Sequence, residues 1–143
     1  MRVLVCGGRD YGWLDKKSHI GYNQAEHDLM EAELNMITNP AHGGKWSFEL
    51  ICGMAFGADT MAYNWAKRHG IEVHEYPAEW DKYGKRAGYL RNVRMLEEGK
   101  PDLVVAFPGG KGTAMMVNLA KEKGVEVIEI SSPEHRSERA QTG

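Results

Sequence analysis

The chain has little of what marks several protein classes. No apolar run approaches the length that crosses a bilayer, which argues against a helical membrane protein. Charge of one sign is missing too: 18 Lys and Arg stand against 20 Asp and Glu, a net charge of -2, whereas a general polyanion binder carries a strong basic excess. Cysteine is scarce, with Cys6 and Cys52 each closing an expected buried strand, so both read as reduced, packed thiols rather than a disulfide or a nucleophile. Six histidines, at 19, 27, 42, 69, 74 and 135, are scattered without metal-ligand spacing, and no metal is expected. The run Gly109-Gly110-Lys111-Gly112-Thr113 lacks the spaced first glycine and the Lys-Thr adjacency of a triphosphatase P-loop. Gly7-Gly8 lacks the third spaced glycine of a dinucleotide fingerprint, which disfavours hydride transfer.

What is present is an alternation. At 143 residues the chain fits one domain, residues 1–131, followed by a polar tail over 132–143 that has no periodicity. Short apolar runs predict five strands, at 2–6, 49–52, 71–76, 102–107 and 125–130, and helical spacing predicts helices at 23–37, 58–69, 85–98 and 113–123. Residues 38–47 and 77–84 read as loops, and Gly70 as a helix terminator. Alternating strands and helices imply an α/β fold: a single-domain, Rossmann-like three-layer sandwich around a mostly parallel sheet. The N-terminus runs from a short strand straight into a glycine loop, unlike a signal peptide, and predicts a cytoplasmic protein.

Three glycine-rich turns carry the functional signal: Cys6 to Tyr11, Gly53 to Asp59 and Pro108 to Thr113, each after an apolar run. In a parallel sheet such loops share the carboxyl edge, where helix N-termini offer N–H groups and partial positive charge to an anion. Gly8, Gly57, Gly109, Gly110 and Gly112 would let backbone approach a phosphate, with Lys111 adding charge and Thr113 either bonding phosphate or capping its helix. Arg9 reads as a phosphate clamp or as the partner of Asp10 or Asp59; Asp59 reads as a helix-start acid or a ribose ligand. Local positive charge gathers over residues 82–94, with five basic residues and no acid. There Arg91 and Asn92 are chosen over Arg94 as ligand groups, and Trp80 and Tyr11 as base-stacking candidates set against plain packing.

Five ordered motifs, Gly7-Gly8-Arg9-Asp10-Tyr11, Gly53-Met54-Ala55-x-Gly57-Ala58-Asp59, Pro77 to Asp81 with Gly84, Ala87-Gly88-x-x-Arg91-Asn92-x-x-Met95 and Phe107 to Thr113, resemble the YspA/cpYpsA-related branch of the SLOG superfamily. That superfamily joins the Smf/DprA DNA-processing proteins with the Lonely Guy (LOG) nucleotide phosphoribohydrolases. The resemblance implies a nucleotide-derived ligand, ADP-ribose-like or a nucleoside phosphate, with no other cofactor required. In the resembling families the Arg-Asn pair belongs to the ligand or DNA site. The catalytic glutamate of the LOG motif is replaced here by Met116, which a thioether cannot serve for, so a hydrolase would need a displaced acid. Glu79 is the first candidate, with Asp81, Asp10 and Asp59 as substitutes. Three readings follow: a nucleotide-binding or sensing domain first, an N-glycosidic nucleotide hydrolase second, and single-stranded DNA binding third, the last disfavoured by net charge. A homo-oligomer is a further expectation, with Met36, Trp46, Phe48, Met115 or Met116 as contact or as core.

Overall fold

The computed structural model describes residues 1–39, 41 and 47–133. Five strands form one parallel sheet: β1 (Arg2–Cys6), β4 (Glu49–Cys52), β5 (Glu72–Glu75), β6 (Leu103–Ala106) and β7 (Glu126–Glu129), in the order β5-β4-β1-β6-β7. The central strands Arg-Val-Leu-Val-Cys and Leu-Val-Val-Ala are buried on both faces, as continuous apolar runs in a parallel sheet must be. The edge strands Glu-Val-His-Glu and Glu-Val-Ile-Glu begin and end on acids, which discourages pairing with another chain.

Strand alternation divides the core in two. Val3, Val5, Leu50, Leu103 and Val105 face one way, onto Met30 and Leu34 of α1 (Gln24–Ile37) and Ala62, Trp65 and Ala66 of α2 (Ala58–Arg68). Leu4, Cys6, Ile51, Val104 and Ala106 face the other way, onto Met95 and Leu96 of α4 (Ala87–Glu97) and Met116, Val117 and Ala120 of α5 (Lys111–Glu122). Each fully buried side chain such as Ile51 or Val104 contributes about 1.5–3 kcal/mol. From β1 the chain builds outward through β4 and β5, then returns to the far side of β1 for β6. That reversal puts a topological switch point beside the carboxyl end of β1.

Several expectations need correction. The loop foreseen over 77–84 contains a single helical turn, α3 (Trp80–Tyr83), closed by Lys82 and Tyr83 N–H groups on the Glu79 carbonyl, and Gly84–Arg86 then form a 3-10 turn before α4 begins at Ala87. Pro77 and Gly84 concealed that turn because they punctuate sequence whichever way the chain folds between them. Helix α5 begins two residues earlier than foreseen, at Lys111. The segment between β1 and α1 holds an exposed hairpin of β2 (Trp13–Asp15) and β3 (Ile20–Tyr22), whose three-residue strands are too short for alternation to be read. Its turn is set by Asp15, whose carboxylate accepts the Lys17 and Ser18 N–H groups and is thereby held below its usual pKa. Of the residues offered as contact or as core, Phe48 and Met116 are core and Met36 is exposed; Trp46 and residues 134–143 of the expected tail lie outside the described residues.

Candidate functional site

A cavity of about 660 Å³ lies over the switch point. Its floor is the first and third glycine loops, joined by a bond from Gly8 N–H to the Pro108 carbonyl (2.9 Å) and by Phe107 N–H to the Cys6 carbonyl (2.9 Å). The fit is close: a Cβ on Gly109 would fall 2.2 Å from the Thr113 hydroxyl and 2.7 Å from Gly8 N. Around this floor are Arg9, Asp10, Asp59, Trp80, Arg91, Asn92, Gly110, Lys111, Gly112 and Thr113, so four dispersed sequence regions converge.

Helix α5 opens onto the cavity. Gly110 is its N-cap, no side chain caps it, and its first turn contains no acid. Thr113 is therefore the third residue of the helix and not its cap, and its hydroxyl lies close against Gly109. Gly110 and Gly112 both border the cavity, with nothing within 4 Å of where a side chain would begin. An N-terminus of this kind attracts anions through its unpaired N–H groups and dipole.

The opposite wall is cationic but tied. Arg91 donates through Nη1 to the Gly53 carbonyl at 2.6 Å and through Nε to Asn92 Oδ1 at 2.9 Å. Burial lowers the Arg91 pKa, while the Asp59 carboxylate pulls it back up. Asn92 is buried, so its carboxamide orients Arg91 from below the cavity surface. The Arg9 guanidinium is 5.6 Å from the centre of the Trp80 ring, a cation–π arrangement, and Trp80 remains 48% exposed. Of the two acids set against a ligand role for Arg9, Asp10 contacts His19 at 2.5 Å, whereas Asp59 feels the Arg9 charge.

Asp59 is 7% exposed and accepts the Ala55 N–H at 3.1 Å. Burial pushes its pKa up to about 6, against the opposing pull of that N–H and of the Arg91 and Arg9 guanidiniums. A buried carboxyl titrating near neutrality, on a cavity wall beside two arginines, is equipped to give or take a proton. The thiols differ: burial pushes both Cys6 and Cys52 up to about 12, and both are free and buried, consistent with inert packing.

Other expected residues lie elsewhere. Glu79 is exposed at the N-cap of α3 and does not line the cavity, although its neighbour Trp80 does. Gly57 is outside the lining and serves the frame: at φ +80°, a Cβ there would lie 2.3 Å from the Gly8 carbonyl oxygen and 2.5 Å from that of Arg9. Tyr11 borders the cavity, but its ring is buried against Phe107 at 5.5 Å between centroids, which makes it a wall. Met116 also lines the cavity, so the place of the LOG glutamate is occupied by a thioether at the site itself. Away from the cavity, Glu49, Glu72 and His74 bring ligand-type atoms within 4.8 Å of one another. His74 and Arg2 already engage the Glu49 carboxylate, an ion network across neighbouring strands.

Two lining residues were missed from the sequence, Lys16 and Glu26. Glu26 is 6% exposed, and its Oε1 accepts both the Gly12 N–H (2.8 Å) and the Lys16 ammonium (2.7 Å). A signal did exist: Asn23-x-x-Glu26 has the spacing of a helix cap and its third-residue acid, and Asn23 Oδ1 does accept the Glu26 N–H. The acid turns away from that box to hold the hairpin, a long-range choice that spacing cannot reveal.

A five-strand parallel sheet with a cavity over its switch point defines a Rossmann-like α/β domain. The chain belongs to the YspA, cpYpsA-related SLOG family, which it matches over residues 1–83. It is also similar to the Gene 61 protein of Mycobacterium phage D29, 33% identical over 134 residues, which span 89% of this chain and 94% of that protein. The family match takes in the first two glycine loops and Trp80; the similarity to the phage protein extends well beyond it. Membership suggests nucleotide-related binding or processing. Among the described residues no helix is long and apolar enough to cross a membrane.

Proposed function

We propose that the cavity binds a nucleotide-derived ligand, with phosphate at the start of α5 and the base near Trp80. The observation that carries this is the uncapped, acid-free N-terminus of α5 facing Arg9 and Arg91 across one cavity. Backbone N–H groups and two guanidiniums supply the donors that phosphate needs, and Trp80 offers an exposed ring already carrying a cation on its face. The volume suits a ligand of nucleotide size. A cytoplasmic setting belongs to the same reading, supported by two buried free thiols.

Thermal shift and calorimetry with nucleoside mono- and diphosphates and ADP-ribose test it, because a ligand selective for the native state raises stability with its concentration. Binding that Arg91→Ala weakens by about 10- to 100-fold supports the reading. Failure of every nucleotide to bind overturns it, and binding to single-stranded DNA that falls steeply with salt would put a nucleic acid in its place.

Asp59 favours a second reading, N-glycosidic hydrolysis, since it is the acid that lines the cavity with a pKa moved toward neutrality. Chromatography of the same mixtures decides between the two: release of free base, abolished by Asp59→Asn with affinity retained, makes the protein a hydrolase. Intact ligand after long incubation leaves a binding or sensing domain.

A further inference from the structure

The cavity lining runs across the sheet edge, from α4 on one face to α1 on the other, and its α1 end has no role in the reading above. At that end are Tyr11, Lys16 and Glu26. Lys16 is committed to the frame, donating to the Asp10 and Trp13 carbonyls (3.3 Å each) and to Glu26 Oε1 at 2.7 Å, one acceptor for each of its three protons. Tyr11 is likewise spoken for, its ring against Phe107 and its hydroxyl donating to the Glu26 carbonyl at 3.4 Å. Glu26 differs, because both donors that reach its carboxylate fall on Oε1. A carboxylate has about four acceptor positions, and this one is nine-tenths buried on a cavity wall.

We infer that Glu26 is a specificity residue, accepting a hydrogen bond from a hydroxyl-bearing sugar on the far side of the phosphates from the base. This rests on the nucleotide reading. A carboxylate repels phosphate and accepts from donors, so the group it meets carries O–H or N–H. The base is assigned to stacking on Trp80, near α4, and the phosphates to the start of α5 between the two ends. What reaches α1 is therefore joined beyond the phosphates, and the ligand class is a nucleoside diphosphate carrying a terminal sugar.

The test is the ratio of affinities for ADP-ribose and ADP, measured by calorimetry for wild type, Glu26→Gln and Lys16→Met. The carboxamide of Glu26→Gln keeps an oxygen for the Gly12 N–H but places a donor where an acceptor was. We expect wild type to bind ADP-ribose about tenfold or more tighter than ADP, as a hydrogen bond to a charged group allows. Glu26→Gln should bring the ratio near one by weakening ADP-ribose alone, and Lys16→Met should keep it. A ratio near one in wild type overturns the inference while leaving the nucleotide reading intact, and needs no variant to fold. Equal weakening of both ligands in Glu26→Gln, or loss of the ratio in Lys16→Met, makes Glu26 a structural anchor of the hairpin and overturns it too. If wild type binds neither compound, this inference falls, and failure of every other nucleoside mono- and diphosphate as well overturns the nucleotide reading with it.

Discussion

Helices α2 and α5 start alike and end up with different work. Both follow a buried strand, both have a glycine N-cap, and neither cap makes a side-chain hydrogen bond. Yet α2 is satisfied from within: its first N–H, on Ala58, donates to the Gly8 carbonyl at 3.1 Å, and Asp59 supplies a carboxylate in its first turn. Helix α5 has Lys111 and Thr113 in the corresponding turn and no acid, and it faces open cavity. A negative charge near a helix N-terminus is stabilising, and the chain supplies one in the first turn of α2 but none in that of α5. Two glycine loops that look equivalent as motifs are thus a structural joint and, on the proposed reading, a binding edge.

The strongest way to break this comparison is to add one methyl group to each N-cap. Gly57→Ala puts a carbon within 2.3 Å of the Gly8 oxygen at a backbone angle of +80°, so it must move the loop that floors the cavity. We expect a loss of about 2–4 kcal/mol in urea denaturation. Gly110→Ala meets nothing within 4 Å and should cost under about 1 kcal/mol, its effect falling on phosphate binding. Equal destabilisation would show that the two starts are both joints.

Asp59 sharpens the comparison through pH. Its pKa is about 6 in the fold against an ordinary 3.8, so between those values the folded state holds a proton that the unfolded chain has lost. Stability therefore falls as pH rises through that window, by a total on the order of 3 kcal/mol, and the deficit is fully present above pH 6. Asp59→Asn keeps an oxygen for the Ala55 N–H and removes the buried charge, at the loss of a favourable helix-dipole contact of about 0.3–1 kcal/mol. The variant should be more stable than wild type at pH 7 by about 2 kcal/mol, with a flatter melting profile between pH 4 and 6. A less stable variant at pH 7 would mean that Asp59 serves chiefly as the counter-ion of Arg91 and Arg9.

The layered sheet was legible because burial on both faces forces apolar strands and leaves them no other pattern, as Leu103–Ala106 shows. The glycine loops at the carboxyl edge were legible for a similar reason, since close backbone approach at Gly109 admits no side chain. Contacts chosen by tertiary structure were not. Glu79 and Trp80 adjoin in sequence, but the α3 turn sends one to solvent and the other to the cavity. Gly57 and Gly110 could not be told apart without knowing that the Gly8 and Arg9 carbonyls crowd only the former. Glu26, fifteen residues from the nearest glycine loop residue it serves, Tyr11, was hidden by a hairpin too short to announce itself.

The smallest expected effect separates two arginines three residues apart on α4. Arg91 points inward onto the Gly53 carbonyl and Asn92, whereas Arg94 pairs with Glu98 one turn on, at 3.1 Å between exposed side chains, and lies over the Tyr76 ring. Their proximity in sequence makes either one a plausible phosphate ligand, so the choice rests on helix geometry alone. Arg94→Ala removes an exposed ion pair of the kind that contributes little, and should leave both the melting temperature and nucleotide affinity within error of wild type. Arg91→Lys is the sharper companion, since an ammonium cannot donate to Gly53 and Asn92 in the fixed fork that a guanidinium provides, and its affinity should fall with that of Arg91→Ala. Were Arg94→Ala to weaken binding as much as Arg91→Ala, the basic run over residues 82–94 would be acting as a diffuse field, and the cavity wall would not be where the ligand is read.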